Sequence, residues 1–428
     1  MKKYLIAETF VGAGGSHVGF KQAGFKAVYV NDFDENFLET LVKNNPELKE
    51  EAFIDSRSIL EVDAESILKK TKLKKGDIDV LFGGIVCKGF SLAGDRSPND
   101  ERSYFYHKQL DLVSKLRPKI SVIENVVGIL NGKVLSNDTP KKIKEEVDAL
   151  WKEIANFKGQ KADLRKKNKI SKDFEKKGEN LKEKRKNVLL KLEESGYMVP
   201  VVKDIYDIYK SLGYKVNHKV LNTAWYGAAT KRERVVIVAV RNDIKDEFKF
   251  PLPVYYSKDL RTKLDFEKEE LAKIKFKKPK TVNDALSLID YKNKNDVDNE
   301  PMNHGDKTVE RFKYIPEGDN IARNLEKLPE HLIISKFYSR GNTMRLDRNQ
   351  PSPTLVPGHS NFPVHPTEHR SISVREAATI TGFPVDYKFV GSHTKRCEQV
   401  GNSVPPPLAK AIGEECKILL NKFYKKKK

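Results

Sequence analysis

Tyr4-Leu-Ile-Ala-Glu-Thr-Phe-Val-Gly-Ala-Gly-Gly15 is a short, β-rich apolar run that passes straight into a glycine turn. Glycines after a strand let backbone N–H groups approach a ligand closely where the next helix begins. Outward from this stretch the same grammar repeats. Ala27-Val-Tyr-Val-Asn-Asp32, Asp77-Ile-Asp-Val-Leu-Phe-Gly-Gly84 and Ile120-Ser-Val-Ile-Glu-Asn-Val126 are further β-rich runs. Each ends in a loop and yields to a helical stretch, such as the one from Glu35 to Asn45. Lys219–Gly227 and Arg234–Asp243 supply two later strands. This alternation predicts an α/β fold: a doubly wound, Rossmann-like parallel sheet with ligands at the carboxyl ends of its strands.

Two stretches break the pattern. Between 131 and 197 Lys, Glu and Arg dominate, and Ile143, Val147, Leu150 and Ile154 fall at helical spacing. The spacing predicts a charged helical insert, two long helices turning near 157–171. It reads either as a solvated elaboration or as a basic arm on nucleic acid backbone. After Asn242 the alternation is lost, and basic runs such as Lys273-Ile-Lys-Phe-Lys-Lys-Pro-Lys280 appear among scattered prolines. The expected organisation is therefore an α/β domain over 1–245, a second, smaller irregular or β-rich domain over 246–364, and a return to the first over 365–428.

Composition narrows the partners. The 428 residues carry 80 Lys and Arg against 60 Asp and Glu, a formal charge of +20. Such a surface suits a polyanion, because Lys and Arg neutralise phosphates and release condensed counterions. The cysteines, Cys87, Cys397 and Cys416, lie too far apart in sequence for a disulfide framework or a zinc site, so no metal and a reducing cytoplasm are expected. No apolar run approaches the roughly 20 residues of a membrane span.

Candidate chemistry clusters at the strand ends. Asp32 suits a ribose diol and Phe33 can stack on adenine, while Asp55 can accept from an adenine amino group. Together they describe an adenosine-bearing cofactor; the bland reading is that Asp32 and Asp55 cap helices. Cys87 lies in the glycine-flanked loop Gly83–Ser91 beside Lys88. A lone cysteine is most often a small buried hydrophobe, yet a loop thiol near positive charge can become a nucleophile. Glu124 places a carboxyl group at the same edge, and alternation points Arg232 and Arg234 the same way.

The ordered set F-x-G-x-G-G from Phe10, Asn31-Asp-Phe-Asp34, Gly83-Gly-Ile-Val-Cys-Lys-Gly-Phe-Ser91, Asp100-Glu-Arg102, Glu124-Asn-Val126, Arg232-Glu-Arg234 and Gln399-Val-Gly-Asn-Ser-Val404 resembles cytosine-C5 DNA methyltransferases. Arg370–Ala378 and Gly382-Phe-Pro384 resemble the block before the last motif. The resemblance implies an S-adenosylmethionine site from Phe10, Gly12, Gly14, Gly15, Asp32, Phe33, Asp55, Ser56, Phe105, Asn402 and Ser403. It implies that Cys87 attacks C6 of a flipped cytosine, that Glu124 holds N3, and that Arg232 and Arg234 position the base and loop. Residues 246–364 stand where the family has its target-recognition region. Lys88, Ser91, Arg340, Asn342, Arg345 and Arg348 are the candidate DNA contacts. The implied partner is double-stranded DNA, with a restriction endonuclease on the same site as a further expected partner and monomeric action usual. Three features depart from the family pattern. Val86-Cys87-Lys88 stands for Pro-Cys-Gln, Thr230 for Gln, and the insert for a short connection. The rival readings are a tRNA cytosine methyltransferase, which has a Cys-Phe-Thr signature not found here, and a DNA-binding homologue that has lost catalysis.

Overall fold

The structure, a computed structural model, describes residues 3–85, 97–99, 105–166, 169–334, 341–358 and 362–426. Among the described residues there are nine strands: β1 (Tyr4–Thr9), β2 (Phe25–Asn31), β3 (Phe53–Asp55), β4 (Val80–Gly84), β5 (Ile120–Asn125), β6 (Lys133–Leu135), β7 (Met198–Pro200), β8 (Tyr214–Asn222) and β9 (Glu233–Arg241). Seven form one sheet in the order β3-β2-β1-β4-β5-β9-β8. β1 pairs in parallel with both β2 and β4. The order therefore reverses at β1, and the crevice beyond the carboxyl ends of β1 and β4 is the position where doubly wound sheets bind ligands. β5 is buried along its whole length, and β9 from Arg234 to Val240. Near-continuous apolar runs of this kind are what a sheet covered on both faces requires. β9 runs against β5: Arg241 N–H donates to Lys119 O at one end, while Arg234 meets Glu124 at the other. β8 pairs antiparallel with β9.

Helices α1 (Gly15–Gln22), α2 (Glu35–Asn44), α3 (Leu48–Glu51) and α4 (Ala64–Thr71) connect the first strands, and α5 (Phe105–Leu116) precedes β5. The caps of α2 and α4 are Asp34 and Asp63, whose side chains accept from Asn36 N–H and Ser66 N–H. The capping reading of Asp32 and Asp55 therefore fails.

The chain divides into two compact units. The first comprises residues 1–85, 111–124 and 213–428; the second comprises 86–110 and 125–212. In the second unit, α6 (Lys141–Lys166) and α7 (Lys172–Glu194) form an antiparallel hairpin. Val147 and Trp151 pack with Leu192, and further along Ile154 and Phe157 pack with Leu181 and Phe174. The Phe157 and Phe174 rings stack with centroids 4.4 Å apart. α8 (Val201–Ser211) follows the antiparallel pair β6–β7.

The first unit carries all the described residues of 246–364 as well as the sheet. Here α9 (Lys268–Leu271), α10 (Val282–Leu286) and α11 (Asp306–Phe312) are short, and the described strand pairing is confined to isolated bridges. The region is irregular rather than β-rich. Phe312, Ile315, Ile321, Leu328, Leu332 and Val364 form a small core within it. Val282, Leu286 and Ile289 share another with Val374, Ala377 and Val400, on α12 (Val374–Thr381) and α13 (His393–Asn402). Arg375 binds Asp296 at 2.7 Å across the same seam. No described helix is long and apolar enough to cross a membrane.

The chain closes with α14 (Pro406–Lys425), which lies on α1. A Cβ added at Gly19 would stand 2.5 Å from Lys410 N and from Pro406 O, both backbone atoms. Gly19→Ala is therefore expected to lower stability by about 1–3 kcal/mol, the usual penalty of overpacking. Gly159→Ala, in α6 with no atom within 4 Å of the added methyl, should raise it by about 0.5–1 kcal/mol by propensity. Urea unfolding of both variants checks the pair; equal shifts would refute the close contact.

Candidate active site

The site assembles along the carboxyl edge of the sheet. After β1 the chain turns through Phe10, Gly12 and Gly14, at φ of +52°, +57° and +92°. Gly15 admits no side chain, because a Cβ there would collide with the carbonyl of Val404. Tyr387 Oη donates to Ala13 O at 2.6 Å, clamping the turn from the other side. Underneath, Glu8 is fully buried; it accepts from Ser16 Oγ at 2.9 Å and pairs with His17 Nδ1 at 2.8 Å. Sequence reasoning missed Glu8. Its signal is a lone acid inside an apolar strand, since a buried carboxylate demands partners.

Asp32 lies just beyond β2. Its Oδ2 accepts from Gly12 N–H at 2.9 Å and its Oδ1 from Asp34 N–H at 3.0 Å. Burial lifts the Asp32 carboxyl to a pKa of about 6, against the pull of those N–H donors. Next to it Phe33 is 68% exposed, an aromatic face left open at a functional edge. Asp55 is placed differently from expectation. Its Oδ1 accepts from Arg57 N–H and Nε, and its Oδ2 from Tyr29 Oη and Arg57 Nη2. Burial raises the Asp55 carboxyl, but the Arg57 contacts outweigh it and hold its pKa below the usual carboxylate range. With two donors on each oxygen, Asp55 can accept from a further group only if Arg57 moves. Ser56 is exposed beside it.

At the end of β5, Glu124 Oε1 lies 2.6 Å from Arg234 Nε, both side chains more than nine-tenths buried. Burial lowers the pKa of Arg234, and the Glu124 carboxylate opposes that shift. Arg232 is lowered further, by burial and then by the neighbouring Arg234. The two arginines share an edge and divide the work. Arg232 Nη1 donates to Gly401 O at 2.8 Å and to Leu355 O at 3.2 Å. It thus ties the start of β9 to α13 and to the 355 segment. Ser403, after α13, donates to Gln399 O, while Asn402 is exposed.

Phe105 opens α5 in the second unit, where Tyr106 Oη and His107 Nε2 contact Asp204 at 2.6 and 2.7 Å. Cys87, Lys88, Ser91 and Arg340 lie outside the described residues. The other candidate DNA contacts separate. Arg345 is buried and spends all five guanidinium donors internally. They go to the carbonyls of Ile315, His365, Glu368 and Phe312 and to His369 Nδ1. Its expected role on DNA is corrected: a guanidinium has five N–H donors, and none remains. Asn342 is buried. Arg348 forms a bidentate pair with Glu317 at 2.8 Å on each bond.

Comparison with known proteins places the chain among relatives of one kind. The family model of C-5 cytosine-specific DNA methylase matches residues 4–151 and 176–418; the unmatched 152–175 fall at the far end of the α6–α7 hairpin. The type II methyltransferase M.Eco47II of Escherichia coli is 26% identical over 99% of this chain and 81% of its own length. M.Sau96I of Staphylococcus aureus is 28% identical over 99% of this chain and 77% of its own. Among solved structures, a prophage-encoded DNA modification methyltransferase of E. coli superposes with a TM-score of 0.61 at 22% identity, covering 98% of this chain and all of the other. The Entamoeba histolytica methyltransferase EhMeth gives 0.53 at 14% identity, covering 99% of each. These two likenesses speak to the fold.

Removing one partner of a buried ion pair leaves an uncompensated charge. Arg234→Ala should therefore cost about 3–5 kcal/mol in urea unfolding, and Arg234→Ala/Glu124→Gln less than that. A double variant no more stable than Arg234→Ala would contradict the pairing.

Proposed function

The chain belongs to the C-5 cytosine-specific DNA methylase family, and we propose that it modifies a flipped cytosine through a covalent bond from Cys87, with S-adenosylmethionine as methyl donor. Its reaction is cytosine-C5 methylation of DNA. The observation that carries the finer reading is the buried Glu124–Arg234 pair at the same sheet edge as Asp32 and the exposed Phe33.

The residues present fit the cofactor. Asp32 offers a desolvated carboxylate to a ribose diol, Phe33 an open ring face to adenine, and the Gly12–Gly15 turn a backbone no side chain obstructs. Asp55 and Ser56 would line the adenine side, with Arg57 giving way, and Asn402 and Ser403 would complete the enclosure; Phe105 is a further residue that the family resemblance assigns to the cofactor. When bound, the cofactor supplies an electrophilic methyl group.

The chain's own residues do the rest. A cytosine inside a duplex is out of reach of a protein thiol, so the base must leave the stack. The Cys87 thiolate adds to C6, and the electron pair of the C5–C6 double bond becomes available at C5 for the methyl group. Glu124 holds N3 and stabilises the charge that develops across the ring. Arg234 keeps Glu124 in place, and Arg232 anchors the 355 and 401 segments around the base. After methylation the C5 proton passes to water, its electron pair re-forms the C5–C6 double bond, and the Cys87 thiolate is expelled from C6 to release 5-methylcytosine.

Residues 246–364 would read the neighbouring bases in the major groove. Arg340, Asn342 and Arg348 remain candidates there, with Lys88 and Ser91 in the catalytic loop. The protein would act as a monomer, alongside a restriction endonuclease specific for the same sequence.

The test is methylation of unmethylated genomic DNA, mapped by bisulfite sequencing. The wild-type protein should modify one short motif, Cys87→Ala should fall to background, and Glu124→Gln should lose about 100–1,000-fold in kcat. Full activity in Cys87→Ala would overturn the mechanism. A second test uses pH. Hydroxyl groups of a ribose donate best to ionised Asp32, so cofactor binding should be complete well above pH 6. Below that it should weaken about tenfold per pH unit as the carboxyl protonates. Asp32→Asn should flatten that dependence in a titration of the cofactor by calorimetry.

A further inference from the structure

We infer that the stretch Lys273–Lys280 is a second contact site for the DNA substrate, a lysine rail that holds phosphates beside the active edge. The inference rests on DNA as the substrate and adds where, outside the base pocket, the duplex is gripped.

Lys273, Lys275, Lys277, Lys278 and Lys280 are all exposed. None of the five forms an ion pair with a described carboxylate. Five like charges within eight residues repel one another. The three apolar residues between them, Ile274, Phe276 and Pro279, are half-buried. The stretch thus turns its ammonium groups outward and its apolar groups in.

The rail is anchored. Lys277 N–H donates to Val254 O at 2.9 Å, and Tyr256 N–H donates to Lys277 O at 2.9 Å. Tyr256 and Phe276 bring their rings within 5.3 Å. Val254 and Tyr255 N–H both donate at 3.0 Å to the carbonyl of Trp225, a fully buried residue. Trp225 lies in the turn Thr223–Tyr226 that ends β8. Tyr255 and the Lys280 stem pack over Gly227, where an added Cβ would stand 3.3 Å from the Tyr255 ring. Five residues later Arg232 begins the pair that serves Glu124. A short run of backbone hydrogen bonds therefore fixes the rail at the edge of the sheet that carries the candidate catalytic residues.

A row of unpaired ammonium groups has one obvious complement on the substrate, the phosphate backbone. Lysines there position the duplex without reading its sequence. Their signature is the salt dependence of binding, about 0.9 in the logarithmic slope for each phosphate neutralised.

The same sheet supplies a matched control. Lys69, Lys70, Lys72, Lys74 and Lys75 are also exposed, and they lie at the end of α4 and in the loop entering β4, on the opposite edge. The experiment compares wild type with Lys→Gln at the five rail positions and at the five control positions. Binding to a labelled duplex is followed by anisotropy from low to high salt, and KM for DNA is measured alongside. The rail variant should lower the slope by about three and raise KM about tenfold or more at 0.15 M salt; the control should change the slope by less than about one. An unchanged slope in the rail variant, or an equal change in both, would overturn the rail, the latter because net charge alone would then account for it. Methyl transfer by the wild type reads the function separately, so either conclusion can fail without the other.

Discussion

Backbone meets backbone where α1 crosses α14. Gly19 lies against Pro406 and Lys410, and Gly15 against the carbonyl of Val404, with no space for a methyl group at either place. This approach brings residues nearly four hundred positions apart to one glycine turn. Ser403 and Val404 reach the crevice only because α14 continues from them along α1. Tyr387 reinforces the arrangement through Ala13, and Thr40 and Gln399 hydrogen-bond beside it at 2.7 Å. The glycine turn after β1 is thus enclosed jointly by the first and last parts of the chain. Packing at backbone distance leaves it little freedom to relax.

The second constraint is charge taken out of water. Glu124 and Arg234 are both buried, and each makes the other tolerable in a medium where an isolated ion is costly. Such a pair is weak evidence of stability but a strong device for position. Its members hold fixed directions before any substrate arrives, which is what preorganised stabilisation of developing charge requires. Arg232, directly before the same strand, is used as a tether to two carbonyls. Asp32 completes the set as a carboxylate lifted by burial, with hydrogen-bonding capacity left for a ligand.

Around this centre the basic surface is unevenly employed. Arg345 and Arg375 are interior braces, and Arg348 is paired with Glu317. By contrast the lysines of 273–280 face solvent unpaired. The α6–α7 hairpin, whose far end the family model leaves unmatched, holds itself together through its own aromatic stack and small core. Counting positive charges therefore overstates what is available to a polyanion; the pairing state of each charge decides it.

Much of the fold was legible in the chain before folding. Strand and helix periods, the glycine turn after Thr9, Asp32 with its aromatic neighbour and the lone Glu124 at a strand end are local patterns, and a regular sheet preserves local patterns. Arg232 and Arg234 illustrate the limit. Alternation placed them on one edge, yet one pairs with a carboxylate and the other with two carbonyls, because the partners come from across the sheet and from residues 355 and 401. Arg345, in a basic run that reads as a DNA contact, was drawn inward by carbonyls from 312 to 368. Asp55 was taken up by Arg57, and Glu8 acquired partners that its strand pattern does not name. The sequence by itself determined the order of elements and which residue types stand at the strand ends, because those depend on neighbours along the chain. Only the tertiary structure decided which charges are spent and which stay available, because a hydrogen-bond donor is committed by whatever packing brings within about 3 Å of it.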